Sequence, residues 1–200
     1  MRPFVYRTED AELTRGLSAV RARYDAIAND VDIVASLGAP VVPLSLELAV
    51  VLATEARLLD EERWHDWLGW CDDEAVLWVP LDTRTPHPAA DQSLFLDDRR
   101  RLEERVWRFT DPNAWALTPS GRAIRAVSGV EAWHDPDEPS EALVSSVLTL
   151  QHVRGQNVFA TVGRQVHRLR RRDADRWSLL HKVLLLPQLD AGTPHLGWLM

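Results

Sequence analysis

The sequence predicts an α+β fold in which helices come first along the chain and an antiparallel sheet follows. Apolar residues recur at helical spacing as far as Phe109. From Arg122 onward, long runs of β-forming residues alternate with turn signals. Helices followed by strands are typical of α+β domains. The 200 residues suffice for one domain, or one domain with an arm, that buries its own core without disulfides or a structural metal.

The first predicted element is an amphipathic helix between Thr8 and Leu37. Seven apolar residues spaced by three and four share one stripe of this helix: Leu13, Leu17, Val20, Tyr24, Ile27, Val31 and Val34. Gly38 and the proline two residues later end it. The spacing is that of a coiled-coil seam but lasts only about three heptads, so the helix is expected to pack on the chain's own domain or on a partner. We therefore expect a helical arm, residues 1–40, and an α+β domain, residues 41–200.

Three further helices and one strand are predicted before the meander. Apolar periodicity, a proline stop and i, i+4 charge pairs give their approximate bounds: a helix over Ser45–Leu59, a helix capped by Asp60 and reaching Cys71, a strand over Ala75–Pro80, and a helix over Asp97–Phe109. A loop up to about Gln92 separates the strand from the last helix. These helices are expected to pack on one face of the sheet.

Four strands in an antiparallel meander are predicted for the second half of the chain. Three turn signals separate them, at Asp135–Ser140, Gly155–Gln156 and Ala174–Asp175. If the second turn is a tight two-residue loop, Leu148 lies opposite Gly163. The third turn then places His167 opposite Lys182 or its neighbour His181.

Both faces of the predicted sheet carry apolar residues. The last strand has Trp177, Leu179, Val183 and Leu185 on one face and Leu180, Leu184 and Leu186 on the other. A sheet with one wet face would alternate apolar with polar residues. The domain's own helices can cover one face, so the other is expected to be buried against another chain, which predicts an obligate oligomer. The arm helix is the competing cover.

Composition narrows the classes of function. The 23 basic and 30 acidic residues give a net charge of −7, the wrong sign for a general nucleic-acid binder. The single cysteine, Cys71, rules out an internal disulfide and any four-thiolate metal site. The first ten residues carry charges where a signal peptide needs an apolar run, and no apolar stretch approaches the ~20 residues that span a bilayer. We therefore expect a cytoplasmic protein without a membrane partner.

Motifs for metal, nucleophilic and phosphate chemistry are absent from the sequence. It contains no HxxxH or HxxH spacing, no GxSxG elbow and no Gly-rich phosphate loop, and Cys71 is expected to be a buried, inert thiol. His167 and His181 could meet across a hairpin and form a functional pair. Histidines on exposed strands are more often ordinary surface residues. Four acids lie near one helix end: Asp66, Asp72, Asp73 and Glu74. Any of them could be a general base, or all could simply be solvated surface acids.

A basic run near the end of one strand has two interpretations. His167, Arg168, Arg170, Arg171 and Arg172 could bind an acidic partner or a carboxylate ligand. The more ordinary interpretation, which we prefer, is a charged edge strand that discourages unwanted sheet pairing.

Several segments together resemble the small, or beta, subunit of aromatic-ring-hydroxylating dioxygenases. The stretch EARLLDEERWHDWLGWCDDEAVLWVPL, Glu55–Leu81, is similar to that family's opening helices and first strand. SLFLDDRRRLEERVWRF, Ser93–Phe109, resembles its Asp-Asp-Arg helix, and VGRQVHRLRRRDADRWSLLHKVLLLPQ, Val162–Gln188, its last two strands. Near SGRAIRAV the chain departs from the family pattern, because Arg125 stands where a histidine is usual. The tail TPHLGWLM resembles the family's closing segment.

The resemblance implies a curved α+β cone of the SnoaL-like, nuclear-transport-factor type. It also implies a larger alpha subunit as partner, in an assembly that commonly has three of each chain and so brings copies of this chain together. The Rieske iron–sulfur cluster and the mononuclear iron would then be held by the alpha subunit, with no cofactor and no catalytic residue on this chain. The residues it implies for intersubunit or buried structural contacts are Arg99, Arg105, Arg108, Arg164 and Trp198.

Two other functions stay open at this stage. A stand-alone isomerase, dehydratase or hydrolase on the same cone would use Asp66 or Asp73 as base, in a pocket lined by Trp67, Trp78 and Trp107. Tryptophans at such positions are more often plain core. A ligand-binding or scaffold protein without catalysis would differ from the dioxygenase subunit only in its partner.

Overall fold

A computed structural model describes residues 11–84, 86–111, 121–173 and 176–187. Its elements in chain order are α1 (Ala11–Ser36), α2 (Val42–Asp60), α3 (Trp64–Trp70), β1 (Cys71–Pro80), β2 (Ser93–Asp98), α4 (Arg99–Thr110), β3 (Arg122–His134), β4 (Glu141–Arg154), β5 (Asn157–Asp173) and β6 (Arg176–Leu185). The strands form one open, curved sheet in the order β2-β1-β6-β5-β4-β3. Neighbouring strands are antiparallel except β1 and β6, which are parallel. The architecture is the α+β fold expected from the sequence.

The four-stranded meander and its register confirm the prediction. Leu148 lies opposite Gly163, and His167 lies opposite Lys182. The register follows from the turn between β4 and β5, where Gly155 has a φ of +61°, a conformation that glycine adopts without strain. Gly163 also has a steric role, because a Cβ there would lie 2.7 Å from the Leu185 carbonyl oxygen.

The region before α4 differs from the prediction in three ways. Cys71 begins β1 and is not the last residue of a helix. Asp60 does not cap α3, because it is the last residue of α2 and its carboxylate binds Arg125 on β3. Strand β2 was not predicted at all; its six residues SLFLDD are mostly half-buried, so they lack the alternation that marks a strand.

The inner face of the sheet packs against α2, α3 and α4. Leucines 44, 48 and 52 of α2 meet Trp67 of α3, Leu102 of α4 and strand residues such as Leu77 and Leu179 in one buried cluster. β-branched residues have a slightly low propensity for helix, and α2 contains several of them. Packing of its apolar stripe against the core outweighs that weak preference. The inner cluster is the main core of the domain.

The outer face of the sheet is covered in part by α1. Ile27 is fully buried against Trp78, Val166 and Val183, with Tyr24, Val31 and Val34 packed around them. The arm helix is thus the cover that the sequence offered as the alternative to another chain. Two apolar residues of the same stripe, Val20 and Leu17, lie about one and two turns before Tyr24 and are exposed.

No helix in the described part of the chain is long and apolar enough to cross a bilayer.

Candidate functional site

A cluster of charged residues lies inside the core, between α2 and the sheet. Glu55 of α2 accepts a hydrogen bond from Lys182 Nζ on β6 at 2.7 Å and another from Trp67 Nε1 at 3.3 Å. His167 Nε2 on β5 lies 3.3 Å from Glu55 Oε2. None of Glu55, His167 and Lys182 is more than 3% exposed. The cluster therefore connects α2 to two central strands and is sealed from solvent.

Charge in this cluster resides on Glu55 and Lys182. Burial by itself would raise the pKa of Glu55, but the Lys182 ammonium and the contact with His167 hold it well below its usual range. Burial lowers the pKa of His167, and the neighbouring carboxylate does not offset this effect. At neutral pH the cluster is thus an ion pair beside a neutral imidazole. Replacing such an enclosed ion pair by apolar residues is often neutral for stability, whereas removing only one partner is costly.

From the sequence, Glu55 has no assigned role and Lys182 is placed only as a register partner of His167, although the sequence contains a signal for both. The chain has 23 basic residues, and Lys182 is its only lysine. Glu55 lies within the apolar stripe of α2, between the buried Leu52 and Leu59. A carboxylate on an apolar face requires a buried partner, and the one lysine in an apolar strand was the natural candidate.

His167 and His181 do not form the pair considered from the sequence. His167 faces the inner core, whereas His181 Nδ1 lies 3.3 Å from Asp30 Oδ2 of α1 on the outer face. Neither is an ordinary surface histidine, because both are buried. Adjacent positions on a strand point to opposite faces, so His181 cannot share the face of Lys182 and His167.

A second ionic network fastens α1 to the outer face. Arg168 of β5 binds the buried Asp30 of α1, with Nε 2.9 Å from Oδ2, and also Asp135 at 2.7 Å and Glu141 at 2.9 Å. Burial would lower the pKa of Arg168, but these carboxylates raise it above its ordinary value. Both interpretations of the basic run are therefore wrong for Arg168. Its charge is neutralised within the chain, and β5 is a central strand.

Arg170 and Arg172 are likewise bound within the chain. Arg170 Nε donates to Glu141 at 3.0 Å, and Arg172 binds the buried carboxylate of Asp72. Asp72 is thus an ion-pair partner and not a solvated acid at a cavity mouth. Glu74 is exposed and pairs with Arg23 of α1 at 3.1 Å.

Four of the five residues that the resemblance singled out have contacts within the chain. Arg99 Nη1 donates to the carbonyl oxygens of Leu68 and Cys71 at 2.8 and 2.9 Å, so it joins α4 to the α3–β1 junction. The other contacts are Arg105 with Asp97 and over the ring of Phe95, Arg108 with the carbonyl of Glu104, and Arg164 with Ser145. Arg108 and Arg164 are exposed. Trp198 lies outside the described residues. Their roles in contacts between subunits remain predictions.

The residues proposed to line a catalytic pocket are not brought together. Trp67 lies in the inner core, Trp78 lies under α1 on the outer face, and Trp107 is 63% exposed. Asp66 is exposed and bound to Arg63. The site imagined for a stand-alone enzyme is therefore not formed by these residues.

A cleft of about 800 Å³ lies elsewhere, between α2, the α3–β1 junction and the ends of β5 and β6. Its lining includes Trp70, Cys71, Asp73 and Trp177, so one of the predicted acids, Asp73, borders this cleft. Burial raises the pKa of the Cys71 thiol to about 12, and Glu55 adds to the shift. Cys71 is thus a protonated thiol, in agreement with the sequence-based expectation.

One part of the outer sheet face is exposed and uncharged. It comprises three cross-strand rows on β3, β4 and β5, and we call it the sheet patch: Ile124, Ala126, Thr149, Gln151, Val153, Val158, Ala160 and Val162. The exposed fractions of Ile124, Val153, Val158 and Val162 range from 42% to 65%. Arg122 lies beside Val153 in the last row, and Arg164 lies one row beyond Val162 at the opposite end.

No three His, Cys, Asp or Glu side chains in the described ranges are grouped to hold a metal ion. A Rieske cluster needs two cysteine and two histidine ligands. The 200-residue sequence has one cysteine, which is buried as a protonated thiol. This chain therefore does not fit a Rieske cluster.

A family model and two curated relatives that match this chain indicate the same protein family. A family model described as "Ring hydroxylating beta subunit" matches residues 54–189. The small subunit of 2-halobenzoate 1,2-dioxygenase from Burkholderia cepacia is 35% identical over 102 residues, which are 48% of this chain and 62% of that relative. The small oxygenase component of the p-cumate 2,3-dioxygenase system from Pseudomonas putida is 34% identical over 74% of this chain and 82% of its own length. The first of these alignments thus spans about three fifths of the relative.

Solved structures show the same fold. A naphthalene 1,2-dioxygenase with indole bound gives a TM-score of 0.65 at 22% identity, covering 74% of this chain and 80% of that chain. The beta subunit of the benzoate 1,2-dioxygenase from Burkholderia mallei gives 0.60 at 24% identity, covering 73% and 91%. The family match spans more than half of the chain and includes Glu55–Leu81, Ser93–Phe109 and Val162–Gln188, whereas the tail TPHLGWLM lies beyond it. The chain therefore belongs to the family of beta, or small, subunits of aromatic-ring-hydroxylating dioxygenases.

Proposed function

We propose that this chain is a non-catalytic beta subunit of a Rieske-type dioxygenase and supports the assembly of catalytic alpha subunits that oxidise aromatic compounds. Three copies of each chain, in the cytoplasm, form the proposed complex. The alpha subunit holds the Rieske cluster and the mononuclear iron. The small-subunit relatives support the proposal, because their names assign them to aromatic dioxygenases.

The observation that best supports a non-catalytic role is that the ionisable groups between α2 and the inner face of the sheet are buried and paired. Glu55 binds Lys182, and His167 lies against the same carboxylate. A general base or nucleophile has to reach a substrate, and these three side chains are enclosed by apolar residues. The burial of these three groups in a packed core supports a structural role for this chain.

Co-expression with a tagged large subunit of the same enzyme class tests the proposal. Native mass and iron content are measured for this chain alone and for the complex. We expect a mixed oligomer whose iron follows the large chain, and no ring hydroxylation by this chain alone when a reductase is added. A stable oligomer of this chain that never enters a mixed complex would contradict the proposal.

A further inference from the structure

The sheet patch lacks the composition of a solvated sheet face. A wet face of an antiparallel sheet normally carries polar and charged side chains at alternate positions. The patch has eight neutral residues in three rows and no carboxylate, although the chain contains 30 acidic residues. The same face is buried by α1 where it reaches Val166. An uncharged, exposed surface that continues a buried one is typical of an interface.

The free edge of the sheet, formed by β3, is occupied in part by other residues of this chain. On β3, the Ala132 N–H donates to Ser45 Oγ at 2.9 Å and its carbonyl accepts from the Val41 N–H at 2.9 Å. The Arg125 N–H donates to Asp60 Oδ2 at 2.9 Å. The residues that lead into and form α2 thus occupy backbone groups that another chain would need for strand pairing. An added strand would have to displace these contacts, so the exposed face of the patch is the more accessible surface for a partner.

Charge indicates what kind of surface this partner presents. An arginine lies at each end of the patch: Arg122 beside Val153 in the last row, and Arg164 beside Val147 in the row beyond Val162. Two copies packed patch to patch would meet only neutral residues and arginines. Along this face of β3 the next acid is Glu131, on the far side of the bulge that follows Ser128. The counter-charge has to come from a different surface, which favours a different chain over a symmetric pair of copies.

We propose that the sheet patch is the docking surface for the alpha subunit, which covers the valines and isoleucine with an apolar surface and binds Arg122 and Arg164 with carboxylates. This inference rests on the proposed function and locates its interface on this chain. Arg164, which the family resemblance had already singled out, is part of it.

A matched pair of variants tests the location. Val158 in the patch and Val42 at the start of α2 are 64% and 65% exposed. Val158→Asp and Val42→Asp therefore add the same charge at equal exposure, one inside the patch and one outside it. Each variant is co-expressed with a tagged large subunit, and the amount of this chain retained is measured, together with its native mass and thermal unfolding when alone. Arg164→Glu and Arg164→Lys serve as a second pair that does not depend on an apolar substitution.

We expect Val158→Asp to reduce retention at least tenfold while Val42→Asp retains the wild-type level, with both variants folded. Arg164→Glu should weaken binding more than Arg164→Lys. Equal retention of Val158→Asp and Val42→Asp would overturn the location of the interface while leaving the proposed function intact. If Val158→Asp disrupts only self-association, the patch binds another copy and the inference is wrong. Failure of the wild-type chain to bind any large subunit would remove both proposals.

Discussion

Glu55 and Lys182 are 127 residues apart in sequence, yet their side chains meet at 2.7 Å inside the core. The contact joins the middle of α2 to the last strand, and both residues are buried. Breaking a buried ion pair is costly because the remaining charge has no partner.

Lys182→Met should therefore destabilise the chain by about 3–5 kcal/mol, because it leaves the Glu55 carboxylate buried without its ammonium. The free energy of unfolding in urea measures this. The double variant Lys182→Met with Glu55→Met should recover part of the loss, since it removes both charges. A double variant that is less stable by the full sum of the single losses would show that the two side chains do not interact.

Stability should fall as the pH drops below about 6.5, the ordinary pKa of histidine, because His167 is buried with a lowered pKa. Below that pH the unfolded chain binds a proton that the folded chain resists, so the contribution of His167 is fully present above 6.5 and is lost in the more acidic range. Unfolding measured in urea from pH 8 to pH 5 should show this slope, and His167→Gln should flatten it. An unchanged slope in His167→Gln would assign it to other groups.

Lys182 should resist amine-directed reagents in the folded protein, since it is 2% exposed and fixed by Glu55. Acetylation with a hydroxysuccinimide ester, read by mass spectrometry of the peptide that contains it, should modify Lys182 only after denaturation. As the sole lysine, it reports on opening of the core without interference from other side chains. Rapid modification under native conditions would mean that the cluster opens frequently.

Asp30→Asn should loosen α1, because Asp30 is buried and binds both Arg168 and His181 across the outer face. Limited digestion with trypsin, which cleaves after Arg21 and Arg23 in α1, should become several-fold faster. Asp32→Asn, at an exposed position of the same helix, is the control and should leave the cleavage rate unchanged. Equal rates for both variants would show that the network does not hold the arm.

Gly163→Ala should destabilise the sheet by about 1–3 kcal/mol, because its Cβ would lie 2.7 Å from the Leu185 carbonyl oxygen and from Leu186 Cδ2. Gly69→Ala provides the comparison, since no atom lies within 4 Å of a Cβ at that helical position. Thermal unfolding should separate the two variants. A Gly163→Ala protein as stable as Gly69→Ala would mean that β6 shifts without cost.

Strong local patterns accounted for most of the fold. The stripe of α1, the apolar face of α2 and the tight turn at Gly155 each contain enough information to define an element or a register. Strand β2 escaped prediction because it is short and half-buried, so neither period is visible in its sequence. Asp60 looked like a helix cap because acids favour that position, but its actual partner, Arg125, is 65 residues away.

The candidate site was less predictable, since its contacts join distant parts of the chain. The tryptophans chosen for a pocket were assigned by residue type, and residue type does not say which face of a sheet a side chain occupies. In the structure, Trp67 and Trp78 lie on opposite faces of the sheet, in different hydrophobic clusters. Exposure at Val158 and Val162 likewise depends on where α1 stops covering the sheet, which no local spacing reveals.

The separation of 138 residues between Asp30 and Arg168 also has a consequence for biosynthesis. The arm helix leaves the ribosome first, but its docking surface needs β1, β5 and β6, which are made later. At roughly 5–20 residues per second, the apolar stripe of the arm waits roughly 7–28 s before β5 has been translated. During that time the nascent chain presents an uncovered helix, so chaperone binding at residues 17–34 would be strongest before the sheet is complete.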